Sequence, residues 1–371
     1  FRLDLSNNKL NRIRNGTLRF FSLLNLNMRN SSIEILEADG FYGLTNLVEL
    51  KLSDNNLKKI EKHRFLYLNK LVLLDMSRSN IERIEKGGFD GLEELKFLIL
   101  ENNNLNVIAS NTFQNLPQLE YLYLSNCQIE IFDNNGSLNG LKTLKNLYAS
   151  ENRINATIKM GLFSELISAT LVDLRQSNIT QLEPFTFANN TNLVRLFLNH
   201  NYLTTIENNT FYGLSKMTYL DLSYCHIEFI SSESFNGLTS LLKLILNHNK
   251  IKHLRDNLFM NLNVLENLQL RDTSIDLIDP FAFNGTDRLE TISFGDIQIS
   301  NINFNNNSTE TKFMGLSKQV KIELKSLRYS WRNLSTENKR KVHSFLLSER
   351  LKSIYFKSYN FKLIDVDDTL F

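Results

Sequence analysis

Residues 95–105 read LKFLILENNNL, and residues 119–129 repeat the frame as LEYLYLSNCQI. The shared template is LxxLxLxxNxL, with a small residue in place of asparagine in the second copy. Its last apolar position recurs at Leu10, Ile33, Leu57, Ile81, Leu105, Ile129, Ile154, Ile179, Leu203, Ile227, Ile251, Ile275 and Ile299, in steps of 23–25 residues. A fixed period of this length marks a solenoid built from one repeated unit. The LxL step has the period of a strand, so alternate residues face opposite sides and the leucines turn inward. Such a strand cannot bury its apolar side alone. Parallel stacking of successive copies extends one core along the array.

About eight residues past each phase mark a phenylalanine recurs: Phe41, Phe65, Phe89, Phe113, Phe187, Phe211, Phe235, Phe259 and Phe283. It forms a second spine, from which Leu18, Leu138 and Phe163 depart and suggest local loop changes. Copies of this length with that phenylalanine resemble the typical leucine-rich repeats of animal extracellular proteins, a group that includes Toll-like receptor ectodomains, Slit and chaoptin. The resemblance implies an α/β repeat solenoid: a horseshoe with a parallel β-sheet on its concave face and loops or short helices on its convex face. It places about 13 regular copies in residues 1–300 and degenerate ones in 301–371.

The asparagine column reads Asn8, Ser31, Asn55, Ser79, Asn103, Cys127, Asn152, Ser177, Asn201, Cys225, Asn249, Thr273. Asparagine alternates with a small residue throughout. In the family this column is buried at the turn leaving the strand, where a side-chain amide satisfies main-chain groups of adjacent turns. Ser, Thr or Cys can do part of that. The alternation implies duplication of a unit of about 48 residues, although a structural tolerance of small side chains would look the same.

With 371 residues, 42% of them hydrophobic, and a formal net charge of +2, the composition is that of a soluble repeat protein. No apolar run approaches the roughly 18 residues of a membrane span. Phe1 opens inside a strand pattern without an initiator Met or signal peptide, so the chain is expected to be a fragment truncated at both ends, any membrane attachment lying in other segments. Relatives in the family commonly carry disulfide-linked caps, and neither end here has a cysteine cluster. Cys127 and Cys225 lie four repeats apart, roughly 19 Å at ordinary strand spacing, too far to pair. They are expected as buried free thiols.

N-x-Ser/Thr acceptors for N-glycans occur at Asn15, Asn30, Asn135, Asn155, Asn178, Asn189, Asn208, Asn284, Asn306, Asn307 and Asn333. Those near the phenylalanine spine fall where exposed loops are expected, whereas Asn178 sits in the turn of the asparagine column. The acceptors favour an extracellular or cell-surface location.

Function is expected on the concave face, where the residue between the two strand leucines projects outward. That column reads Asp4, Asn27, Lys51, Asp75, Ile99, Tyr123, Tyr148, Asp173, Phe197, Asp221, Ile245, Gln269. Ile99, Tyr123 and Tyr148, with Phe97 and Tyr121 beside them, would make a contiguous apolar and aromatic patch of the kind that contacts protein or lipid. The same rings could instead stack and stiffen the sheet. Arg195, Phe197, Tyr219 and Tyr224 form a second candidate. His200 and His248, two repeats apart with Tyr224 between them, could sense pH or be plain solvated histidines.

No HExxH, paired Cys-x-x-Cys or Gly-rich phosphate loop is present, and the six histidines are scattered. The reading is therefore non-enzymatic, with no catalytic residue, cofactor or metal and no nucleic acid expected. Past Ile299 the polar segment NINFNNNSTETKF reads as a loop. Ile322, Leu324, Tyr329, Ile354, Phe356 and Phe361 recover fragments of the template, and a helix capped by Ser335 or Thr336 is expected to carry Val342, Phe345 and Leu346. Between Lys318 and Lys362 twelve Lys/Arg stand against three Glu, a basic end suited to acidic glycans, anionic lipid or an acidic partner. The leading expectation is an extracellular recognition module of a receptor or adhesion protein, with a protein, glycan or lipid ligand and a homo- or heterodimeric state open. Innate immune recognition is placed ahead of adhesion and guidance. The alternative is an intracellular scaffold that uses the same face.

Overall fold

A computed structural model describes residues 1–294 except 135, 155, 156 and 280, together with the backbone of three later strands, Asn303–Phe304, Lys321–Leu324 and Ser353–Phe356. The chain divides into two compact units, Phe1–Asn201 with Phe211–Ser215, and Tyr202–Thr210 with Lys216–Phe371.

The first unit carries one three-residue strand per copy: Arg2–Asp4, Asn25–Asn27, Glu49–Lys51, Leu73–Asp75, Phe97–Ile99, Tyr121–Tyr123, Asn146–Tyr148, Leu171–Asp173 and Arg195–Phe197. Each pairs in parallel with the next, so that Leu3, Leu26, Leu50, Leu74, Leu98, Leu122, Leu147, Val172 and Leu196 form one inward row. Leu50, Leu74, Leu98, Leu122 and Leu147 are fully buried, each contributing about 1.5–3 kcal/mol of apolar burial. In the second unit the strands Tyr219–Asp221, Lys243–Ile245, Asn267–Leu270, Thr291–Phe294, Lys321–Leu324 and Ser353–Phe356 pair likewise, aligning Leu220, Leu244, Leu268, Ile292, Ile322 and Ile354.

No helix occurs among the described residues; the returning segments are successive turns. In the copy from Phe65, Leu68 N–H donates to Phe65 C=O and Leu71 N–H to Leu68 C=O, bonds three residues long. Of the loops or short helices expected on the convex side, only loops form. An α-helix with its side chains is about 10–12 Å across, whereas copies stack about 5 Å apart at the strands and their Phe rings stay 5.8 Å apart at Phe41–Phe65 and 6.0 Å at Phe89–Phe113. One helix per copy would not fit that pitch. Gly91 sits at φ +91° in such a turn, where a Cβ would lie 2.5 Å from Leu66 Cα of the preceding copy. The spine also runs through its irregular members: Leu18 and Leu138 are buried, and Phe163 stacks on Phe187 at 5.3 Å. The helix expected around Val342, Phe345 and Leu346 lies outside the described residues, as do Tyr329 and Phe361.

The asparagine column explains its own alternation. Asn55 Oδ1 accepts from the Ser31 and Ile33 N–H groups (3.0 and 2.9 Å), while its Nδ2 donates to Met28 and Leu52 C=O (2.9 and 2.8 Å). Asn103, Asn152, Asn201 and Asn249 repeat the pattern, each stapling its own copy to the one before. At the other type of junction the main chain does that work: Leu57 N–H donates to Ser79 C=O, and Leu105 N–H to Cys127 C=O. There the small side chain donates instead, Ser79 Oγ to Leu52 C=O at 2.9 Å and Cys127 Sγ to Leu100 C=O at 3.0 Å. Small size alone is therefore not the requirement; a γ hydrogen donor is.

Backbone torsions alternate too. Residues just after the small member, such as Ser32, Asn80 and Gln128, take positive φ, whereas in the copies of Asn8, Asn55 and Asn103 it falls two residues later, at Asn11, Lys58 and Asn106. The junctions from asparagine to small residue form a second short ladder, as in Lys59–Ile60 with Arg83–Ile84 and Val107–Ile108 with Ile131–Phe132, and the copy of Thr273 extends one such ladder onward, from Leu277–Ile278 to Asn303–Phe304.

Candidate functional site

The outward side of the first unit's sheet brings Phe97, Ile99, Tyr121, Tyr123 and Tyr148 together. Parallel register places Phe97 beside Tyr121, Ile99 beside Tyr123, and Tyr123 beside Tyr148. The Phe97 and Tyr121 rings stack at 4.7 Å and 5°, the Tyr123 and Tyr148 rings at 4.8 Å and 10°. All five side chains remain half-buried with no element packed over them among the described residues. Asn146 Nδ2 donates to Tyr148 Oη at 3.0 Å and fixes the end ring. Burial pushes the Tyr123 hydroxyl above the ordinary tyrosine range, with Tyr148, Glu101 and Tyr121 adding to the shift.

Two apolar members of this face were passed over in the sequence. Leu73 pairs beside Phe97, and Leu171 beside Asn146. Both stand in the column that precedes the first strand leucine, the same column that holds Phe97 and Tyr121. Glu101 was also passed over; it projects two residues beyond Ile99, and burial raises its carboxyl above the usual glutamate range, with Asp75 and Glu151 adding to the rise and Arg78 opposing it.

The second candidate divides between the units. In the first, Arg195 is exposed and Phe197 lies beneath the Arg175 guanidinium, 5.3 Å from the ring centroid. Arg175 in turn holds the buried Asp173 at 2.6 Å. In the second, Tyr219 lies under Lys243 Nζ at 5.6 Å, and Tyr224 stacks on His248 at 4.0 Å. His248 Nε2 is 3.3 Å from Asp272, and His200 belongs to the first unit.

Cys127 and Cys225 are buried free thiols. Burial pushes the Cys127 thiol up to about 12, so it is an inert hydrogen donor at neutral pH. Of the glycan acceptors, Asn15, Asn30, Asn189 and Asn208 are exposed, while Asn178 and Asn284 are half-buried. Asn135, Asn155, Asn306, Asn307 and Asn333 lie outside the described residues. Among the described residues no group of three or more His, Cys, Asp or Glu could hold a metal ion, and no helix is long and apolar enough to cross a membrane.

Comparison with known structures returns the same architecture. Toll in its Drosophila complex with Spatzle aligns over 88% of this chain at a TM-score of 0.70 and 20% identity. This chain spans 47% of the Toll chain, about half its length. An internalin of Listeria monocytogenes aligns over 81% of this chain and 80% of its own at a TM-score of 0.55 and 19% identity. A leucine-rich repeat protein of Leptospira interrogans aligns over 69% and 68% at 0.51 and 23%. No curated protein sequence matches the chain. The leucine-rich repeat family model fits residues 2–57, 45–105, 69–129, 95–154 and 167–227, and the model for a BspA-type leucine-rich repeat region fits 204–330. The stacked strands, the buried asparagine staples and these matches over more than half of its length agree: the chain belongs to the leucine-rich repeat family.

Proposed function

We propose that this protein is a non-catalytic, extracellular recognition module that binds a protein ligand through the outward sheet face of Phe97, Ile99, Tyr121, Tyr123 and Tyr148. The observation that carries the reading is the pair of ring stacks, Phe97–Tyr121 and Tyr123–Tyr148, held side by side on an uncovered sheet. Stacking fixes the rings before a ligand arrives, so little side-chain entropy is lost on binding. Large aromatic side chains of this kind commonly dominate the energetics of an interface. The structural likeness to Toll, whose complex contains Spatzle, supports a protein as ligand and a receptor as the parent molecule. Exposed glycan acceptors at Asn15, Asn189 and Asn208 support an extracellular setting. Innate immune recognition is placed ahead of adhesion on the same likeness.

A photo-crosslinking residue placed at Tyr121, against a control at the exposed Tyr212 of the return side, identifies the partner in its native setting. The purified partner is then titrated against the wild type and the Tyr123→Ala, Tyr148→Ala double variant. A loss of about tenfold or more in affinity is expected. Unchanged affinity in a variant with native circular dichroism would reduce the rings to structural stiffeners.

A further inference from the structure

The ring face has a charge pattern that stacking alone does not require. Leu100 is fully buried between Ile99 and Glu101, so Glu101 projects from the same side as Ile99. Its carboxylate forms no ion pair among the described residues. It lies within electrostatic range of Asp75, Arg78, Glu151 and the Tyr123 ring. The nearby cations are already engaged. Arg78 grips Asp54 through Nε at 2.6 Å and Nη2 at 3.0 Å. Lys145 and Lys96 hold Glu120 at 2.7 and 3.6 Å, and Arg175 holds Asp173 at 2.6 Å. The rim of the aromatic face thus keeps a carboxylate outside any ion pair, opposed only in part by Arg78, whose guanidinium is spent on Asp54.

A cation satisfies both halves of that surface at once. The Tyr123 and Tyr148 rings cover each other's inner faces, which leaves their outer faces and hydroxyl oxygens to attract a guanidinium or ammonium group. A carboxylate beside the ring accepts charge-assisted hydrogen bonds from the same head group. The aliphatic stem of Arg or Lys covers apolar surface such as Ile99 and Leu73 while its head stays polar. An acidic or neutral ligand segment would leave Glu101 half-buried and unpaired against Asp75 and Glu151.

We propose that the partner seated on this face presents a basic segment, with an arginine or lysine side chain lying over the Tyr123 and Tyr148 rings and its cationic head at Glu101. This rests on the recognition face proposed above and specifies the chemistry of what that face takes.

Fluorescence anisotropy of the full chain with two labelled peptides tests it, an alternating arginine–glycine octapeptide and its glutamate–glycine counterpart. The arginine peptide is expected to bind and the glutamate peptide not. Glu101→Gln, which keeps side-chain size, should weaken the arginine peptide about fivefold. Tyr123→Leu with Tyr148→Leu should weaken it about tenfold or more. Glu94→Gln, exposed on the return side, should leave it unchanged. No binding by the wild type, preference for the glutamate peptide, or equal losses in Glu101→Gln and Glu94→Gln would each overturn the assignment, the last by showing diffuse attraction. If the natural partner loses affinity on removal of the Tyr123 and Tyr148 rings but not in Glu101→Gln, the recognition face stands and its cationic occupant falls. If neither change matters, both fall.

Discussion

A half-buried carboxylate without an ion pair is a cost, and Glu101 bears it on the face proposed for binding. Its carboxyl is raised by burial first, then by Asp75 and Glu151, with Arg78 opposing in part. A carboxyl whose value rises on folding favours the folded state only while protonated, so that contribution is present at low pH and lost as pH climbs through the folded value. Glu101→Gln is therefore expected to raise the melting temperature at pH 7. The gain should shrink as pH falls toward the ordinary glutamate range of about 4, because the wild-type side chain then becomes protonated in the unfolded state as well as the folded one. Thermal melts of the two proteins from pH 4 to 8 check this; a variant no more stable at pH 7 would mean that the charge is not strained. Stability surrendered at a binding surface is a common trade. Glu101 was not legible as special in the sequence, because its neighbours Asp75 and Glu151 belong to other copies and only the parallel register brings them near.

At the scale of one copy against the next, the two kinds of junction make unequal demands on their side chains. Asn103 supplies four buried bonds, accepting from Ser79 and Ile81 N–H and donating to Met76 and Leu100 C=O. Ser79 Oγ donates to Leu52 C=O, which Asn55 Nδ2 also reaches. Asn103→Ala should thus cost about 3 kcal/mol or more, since it strands two buried N–H groups, whereas Ser79→Ala should cost about 1 kcal/mol. Hydrogen exchange checks the locality of the effect: the Ser79 and Ile81 amides should lose protection in Asn103→Ala and keep it in Ser79→Ala. Equal costs would show that the main chain, not the amide, joins these copies. The strand row and the phenylalanine spine were fully legible, because Leu98, Leu122 and Phe113 carry their roles in identity and spacing alone. The alternation was legible as a pattern at Asn103 and Cys127, but its cause was not. Around these two residues it goes with a change in which residue turns to positive φ, Asn106 in one copy and Gln128 in the next, and side chains of such similar character do not advertise it. Helices on the return side were an admissible reading of the sequence until the stacking pitch excluded them.

Over the whole molecule, the proposed extracellular setting and the proposed ring face constrain one another through glycans. An N-glycan is bulky and must leave any binding face clear. No acceptor occurs between residues 31 and 134, the span that supplies Leu73, Phe97, Ile99, Tyr121 and Tyr123. Of the exposed acceptors, Asn15, Asn189 and Asn208 fall on returning turns, away from the outward sheet columns, whereas Asn30 lies in the turn leaving the strand Asn25–Asn27 and its Nδ2 donates to Asn7 Oδ1 at 2.9 Å. Asn208 Oδ1 accepts from Glu233 N–H, leaving its Nδ2 to carry a sugar. Asn284 differs: it is half-buried and its Nδ2 donates to Asn257 Oδ1 at 2.9 Å. A glycan there would take that nitrogen out of a ladder joining two copies. Passage of the chain through a eukaryotic secretory pathway, followed by glycopeptide mass spectrometry, should therefore show high occupancy at Asn15, Asn189 and Asn208 and low occupancy at Asn284. Enzymatic removal of the glycans should leave ligand affinity unchanged if the ring face is the binding surface, because none of these sites borders it. Empty exposed acceptors would withdraw the main sequence support for an extracellular setting. Full occupancy with affinity altered on deglycosylation would place the ligand on the return side and remove it from the Phe97–Tyr148 face.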